Sequence, residues 1–366
     1  MGALDGVRVI ELAGIGPGPF CGMMLADQGA EVIQVDRAVQ VRGGDPARPP
    51  GNVNGRGRRS IGVDLKSPGG VETVLRLVDG ADMVFEGFRP GVAERLGVGP
   101  DDCLARNPAI VYGRMTGWGQ DGPYSSMAGH DINYIALTGV LHAIGNRDAP
   151  LPPLNLVGDF GGGALYLAFG VVCGLLEAKA SGQGQVIDAA MIDGAAQLMT
   201  MIYGLLHNRQ WSDARGSNLL DGGAHFYGTF ECADGKWVAV GAIEPQFYEL
   251  LLQHVGLSTA EAGTSQDEAD WPGMKERLAE IFRSRTREQW CAAMEGTDVC
   301  FAPVLSLAEA PQHPHNAARQ NFVTAWGVLQ PAPAPRFDRT PGAIGRPPPQ
   351  PGEHTDEVLQ DWGIQA

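Results

Sequence analysis

The first 37 residues hold two apolar runs with a glycine-proline turn and a helix between them, and this arrangement constrains the kind of sheet the chain can build. Val7 to Leu12 reads as a strand and Ala13 to Pro19 as a tight turn. Phe20 to Gln28 reads as a helix closed by Gly29, and Glu31 to Val35 as a second strand ending at Asp36-Arg37. A strand–helix–strand unit carries its strands parallel, so an α/β domain follows. The pattern continues with strands over Ile61 to Leu65, Ala81 to Glu86 and Ala109 to Arg114 and a helix over Gly70 to Val78. Residues 43 to 59, polar and rich in Gly, Pro and Arg, read as a long loop. Leu165 to Glu177 and Ala189 to Leu206 read as the two longest apolar helices.

With 366 residues the chain exceeds one ordinary core, so two domains are expected. The pattern changes across a Gly-rich connector near 210–225. Beyond it, Phe226 to Ala233 and Lys236 to Gly241 alternate around Asp234-Gly235, a hairpin signal. Helical segments follow at Gln246–Val255, Gly273–Arg283 and Arg287–Met294, giving a smaller α+β domain that ends near residue 310. The prolines of 331–351 predict an extended connector. The tail reads as a helix capped by Thr355, with Asp356 and Glu357 in its first turn.

A net charge of −15 gives the chain no general footprint for nucleic acid or an anionic membrane. Any anionic ligand must then be met by a local group of Arg and Lys. The six cysteines are scattered, with no zinc spacing, and read as free thiols in a reducing cytoplasm. No secretory signal and no peroxisomal address is visible, so the expected location is cytoplasmic. The apolar stretch Gly161 to Leu176 is short for a membrane span and reads as a buried helix.

The turn Gly14-Ile15-Gly16-Pro17-Gly18 has two readings. Asp36 at the end of the second strand suits a ribose, so a nicotinamide site is one of them. The spacing is not GxGxxG, however, and Pro17 and Pro19 lack the N–H donors a pyrophosphate needs, which favours a plain strand-to-helix turn. Arg37, Arg56, Arg58, Arg59, Lys66, Arg89 and Arg95 gather in the first hundred residues. Singly each is a surface charge. As a set near strand ends they favour a phosphorylated ligand.

Gly129-His130-Asp131-Ile132-Asn133-Tyr134 and Gly158-Asp159-Phe160-Gly161-Gly162-Gly163 hold the most reactive pair. A histidine titrates near neutral pH and can take or give a proton, and a carboxylate can serve the other face of a carbon. The flanking glycines let backbone approach a ligand closely. His130 alone would be a structural histidine, but its polar neighbours make a poor core segment. Asp159 stands where a helix begins and could cap it. Glu244, between a strand and a helix, is either a first-turn carboxylate or an orienter for a catalytic histidine. Asp188 and Asp193 read as structural or surface acids on a helix. No GxSxG, HExxH or Walker A motif occurs, which leaves metal-free proton transfer or carboxylate nucleophilic catalysis.

These segments, with Val9 to Pro19, Val35-Asp36-Arg37, Asp64-Leu65-Lys66, Gly87-Phe88-Arg89-Pro90-Gly91 and Gly113 to Gly119, agree in order and spacing with one family. The chain resembles the alpha-methylacyl-CoA racemase branch of the family III CoA-transferase superfamily. The resemblance implies a large Rossmann-like parallel-sheet domain (1–205) and a small α+β domain (226–310), in an intertwined homodimer. Long linkers (206–225 and 311–351) join them, and a C-terminal helix (352–366) returns to the large domain. It implies His130 and Asp159 as the two bases, serving the (S) and (R) substrates, with Glu244 of the other subunit supporting His130. Arg37, Val63, Asp64, Leu65, Lys66, Gly87, Phe88, Arg89, Arg95, Gly129, Asp131, Ile132, Asn133 and Tyr134 would line the coenzyme A site.

The implied reaction is a 1,1-proton transfer through an enolate, with no cofactor beyond the coenzyme A of the substrate. The backbone N–H of Asp131 is the candidate donor to the thioester oxygen. Met115, Met191, Met199 and Met201 either form a pliable acyl surface or belong to the core. In the alternative, a CoA-transferase, Asp159 would be a nucleophile. Transferases of the superfamily lack the histidine of this motif and carry a glycine-rich loop near the Glu244 region, where this chain has Glu244-Pro245-Gln246. A third reading, a non-catalytic acyl-CoA binder, would not need His130 and Asp159 together.

Overall fold

The computed structural model describes residues 2–12, 14–40, 52–261 and 263–364. The described chain divides into two compact units: residues 2–138, 153–199 and 319–364, and residues 139–152 and 200–318.

The first unit is built on six parallel strands: β1 (Arg8–Leu12), β2 (Glu31–Arg37), β3 (Arg58–Val63), β4 (Met83–Glu86), β5 (Val111–Thr116) and β6 (Val186–Ala190). Their order, β3-β2-β1-β4-β5-β6, reverses between β1 and β4. In sheets of this kind ligands bind at the carboxyl ends of the strands, beside that reversal. Both faces are covered by apolar clusters, so β1 and β4 are buried nearly throughout. The opening strand–turn–helix–strand reading holds, with the helix at Pro17–Asp27 starting on a proline, where the missing N–H costs nothing.

Several elements differ from the reading of the sequence. β3 begins at Arg58, inside the stretch expected to be loop, and residues 43–51 of that stretch lie outside the described residues. Ala189 to Leu206 is not one helix. Its start belongs to β6, and helices follow at Met191–Leu198 and Thr200–His207. Asp188 therefore stands on an edge strand, where it accepts the Gln120 N–H at 3.2 Å. The apolar helix is longer than expected and is not wholly buried. It runs from Leu156 to Ser181, 26 residues long and apolar enough by composition to cross a membrane, with 39% of its most apolar window buried. Leu167, Val171 and Leu175 face the core, while Leu165, Phe169 and Leu176 are exposed.

Where only connector was expected, β10 (Phe322–Ala325) and β11 (Val328–Pro331), numbered after the second unit's β7–β9, form a hairpin. The final helix, Thr355–Asp361, is preceded by His354 rather than Thr355 at its cap. The Thr355 hydroxyl accepts the Gly62 N–H instead, and Val358 packs into the core beside β3.

The second unit holds an antiparallel sheet of β7 (Tyr227–Glu231), β8 (Trp237–Gly241) and β9 (Phe301–Val304). Gly235, at φ 72°, makes the hairpin turn. Helices Pro245–His254, Trp271–Phe282 and Arg287–Met294 pack on a core that includes Phe230, Val238, Leu251, Phe282 and Trp290.

Candidate active site

A cavity of about 510 Å³ opens in the first unit beside the sheet's reversal. Its wall comes from the turn after β1 (Ile15, Gly16, Pro17), the loop after β4 (Gly87 to Pro90) and the end of β5 (Met115 to Trp118). Ser125, Met127 to His130, Asn133, Tyr134, Asp159 and Met191 complete it.

His130 caps the helix Asp131–Leu137, and its side chain is exposed. Its backbone N–H donates to Asn133 Oδ1 at 3.0 Å, and its carbonyl accepts from Asn133 N–H at 2.8 Å. Tyr134 holds the preceding peptide, because its hydroxyl donates to the Gly129 carbonyl. The Tyr134 ring packs edge-on to Trp118 at 4.7 Å, and a Cβ on Gly117 would come within 2.1 Å of it. The aromatic pair therefore requires a glycine at 117 and fixes the loop that carries His130.

Asp159 lies in a wide helical turn, Leu156–Ala164, where the Phe160 N–H reaches back five residues to Asn155 O. It is thus inside the helix and not its cap. Asn155 Nδ2 donates to Asp159 Oδ2 at 3.1 Å, and the Asp159 N–H donates to Asp131 Oδ2 at 2.7 Å. Phe160 stacks on Phe20 at 4.6 Å. The glycines after Asp159 serve packing more than ligand approach. A Cβ on Gly162 would lie 2.6 Å from the backbone nitrogen of Ala195, so this glycine lets helix Met191–Leu198 come close.

The loop after β4 rests on a buried carboxylate. Glu86 accepts the Phe88 N–H and, at 3.2 Å, Arg114 Nε. Arg114 also pairs with Glu94 at 2.8 Å. Burial pushes the Glu86 pKa up to about 7, and the Phe88 N–H and Arg114 pull against that rise.

Among the residues singled out in the sequence, the cavity brings together Gly87, Phe88, Arg89, Gly129, His130, Asn133, Tyr134 and Asp159. Arg37, Val63, Asp64, Leu65, Lys66, Arg95, Asp131 and Ile132 are not in its lining. Arg37 and Val63 pair across β2 and β3 at the carboxyl edge of the sheet. Glu244 belongs to the second unit. It precedes helix Pro245–His254 with an exposed side chain that makes no cap hydrogen bond.

Three members of the basic set are spent inside the fold. Arg56 pairs with Asp27 at 2.5 Å, Arg58 with Glu11 at 2.5 Å, and Arg59 with Glu31, Glu357 and Asp361. Arg89 is the only Arg or Lys among the described residues lining the cavity. The turn at Ile15–Pro17, read in the sequence mainly as a structural turn, also forms part of the wall. Met115 and Met191 line the cavity too, although both are largely buried.

Mouse alpha-methylacyl-CoA racemase is 48% identical over 99% of this chain and 93% of its own. The human alpha-methylacyl-CoA racemase is 44% identical over 99% of this chain and 94% of its own. Among solved structures, Rv3272 of Mycobacterium tuberculosis superposes with a TM-score of 0.80 at 27% identity, covering 97% of this chain and 98% of the other. The model of CoA-transferase family III matches residues 4–355, and the chain belongs to that family.

Proposed function

We propose that this protein is a racemase that interconverts (R)- and (S)-2-methylacyl-CoA thioesters. One observation carries the reading: His130 and Asp159 line the same cavity in a chain 48% identical to an alpha-methylacyl-CoA racemase. The thioester carbonyl acidifies the neighbouring C–H. In the proposed reaction His130 removes the proton from the (S) substrate, a planar enolate forms, and Asp159 delivers a proton to the other face. The roles reverse for the (R) substrate. The Asp131 N–H, first in its helix and so without an intrahelical acceptor, is the proposed donor to the enolate oxygen. The mechanism draws on these side chains and on the thioester, with coenzyme A as part of the substrate and no separate cofactor.

Coenzyme A is proposed to lie along the sheet's carboxyl edge, over Arg37, Val63 to Lys66, Gly87 to Arg89 and Arg95. Arg89→Ala is expected to raise the KM for acyl-CoA about tenfold, the loss of one charge-assisted bond, with kcat little changed. An unchanged KM in steady-state assays would remove Arg89 from the site.

The protein is further proposed to act as an intertwined homodimer in the cytoplasm, with Glu244 of the partner chain holding the His130 imidazole. Two facts support this arrangement. The Glu244 carboxylate does not cap its own helix, and the face bearing Leu165, Phe169 and Leu176 is uncovered in the single chain. On dilution no folded monomer should appear by light scattering, and a compact active monomer would contradict the arrangement.

The activity is tested by NMR of (S)-2-methylacyl-CoA with the protein in D₂O, with and without oxalate. Loss of the α-proton signal and growth of the (R) epimer without the added acid is the expected result. Transfer of coenzyme A to oxalate without exchange would make Asp159 a nucleophile and the protein a transferase.

A further inference from the structure

The geometry points to Asp131 as a positioning residue, whose carboxylate sets where Asp159 stands relative to His130. The inference rests on the racemase reading and deepens it. Asp131 follows His130 in the chain and is 7% exposed. Its Oδ2 accepts the Asp159 N–H at 2.7 Å across 28 residues of sequence. One side chain thus joins the segment that carries one base to the segment that carries the other.

Two features set this apart from ordinary helix-end chemistry. An acid in a first turn commonly serves its own helix, but this one reaches to another segment. The facing segment also makes room for it, since a Cβ on Gly158 would lie 2.5 Å from Asp131 Oδ2. The arrangement is costly. Asp131 Oδ1 is buried without a protein partner, and Asp159 is a second carboxylate close by. Burial pushes the Asp131 pKa up, and the Asp159 N–H bond counters only part of that rise. An apolar residue would avoid this cost but would leave the Asp159 peptide untethered.

The test is α-proton exchange in D₂O with enantiopure (R)- and (S)-2-methyldecanoyl-CoA. In Asp131→Ala, exchange from the (R) substrate should fall at least about tenfold, because small displacements of a reacting group are expensive. Exchange from the (S) substrate, which relies on His130 as its base, should fall much less, so that the ratio of (R) to (S) exchange drops, and deuterium taken up by the (S) substrate should enter with retention. Racemisation should fall in both directions together, since the epimers are equally stable. KM should hold. Asp131→Asn keeps an acceptor for the Asp159 N–H and should restore inversion. If Asp131→Ala does not fold, Gly158→Ala carries the same test by pressing a methyl against Oδ2. Equal losses on both faces, or no change in their ratio, would overturn the positioning role. A parent protein that inverts neither epimer would instead overturn the racemase reading itself.

Discussion

His130→Ala should lower racemisation by about 10²- to 10⁴-fold, the range a positioned general base contributes. The fold should be retained. The imidazole is exposed, and the bond to Asn133 Oδ1 comes from the backbone N–H of residue 130, which the substitution keeps. Thermal stability should therefore move by no more than about 0.5 kcal/mol, as for other exposed positions. The diagnostic part is the residual chemistry. With Asp159 intact, the (R) substrate should still exchange its α-proton slowly in D₂O, while the (S) substrate should not. Near-normal turnover of both epimers would remove His130 from the mechanism. Loss of exchange from both faces together with loss of acyl-CoA binding would make it a binding residue.

Much of this architecture could be read from the sequence because it is local. The opening β1–helix–β2 unit and the β7–β8 hairpin are written in apolar runs a few residues long, broken by Gly and Pro. β6 was not legible. Its five residues, Val186–Ala190, sit at the sheet edge and run without a break into the helix at Met191, so one apolar stretch hides a strand-to-helix junction. The chemistry divides in the same way. His130 and Asp159 stood out through their glycine-rich settings, whereas the bond from Asp159 to Asp131 depends on two segments meeting in space. Arg58 shows the opposite failure. Its charge is plain in the sequence, but its partner Glu11 lies 47 residues away, so a structural arginine read as a ligand handle.

Arg58→Met should destabilise the protein by about 3–5 kcal/mol, the loss expected when one partner of a buried ion pair is removed. Both side chains are almost fully buried, at 0% and 2% exposure. Burial already pushes the Glu11 pKa up, and Arg58 is the main influence drawing it back. Without the guanidinium, Glu11 must either ionise uncompensated between β1 and the helix at Pro17–Asp27 or take up a proton there. Urea or thermal unfolding measures the loss, and a change below about 1 kcal/mol would show that the pair is dispensable. Adding Glu11→Leu should restore most of the stability, because an apolar replacement of a whole buried pair is often neutral or better. It should not restore everything. Arg58 also donates to the carbonyls of Asn54 and Pro19, and Pro19 lies in the first turn of the helix that follows Ile15 and Gly16 and begins at Pro17, three residues that line the cavity. The double variant should therefore fold like the parent yet turn over substrate more slowly, because Arg58 also secures one wall of the cavity.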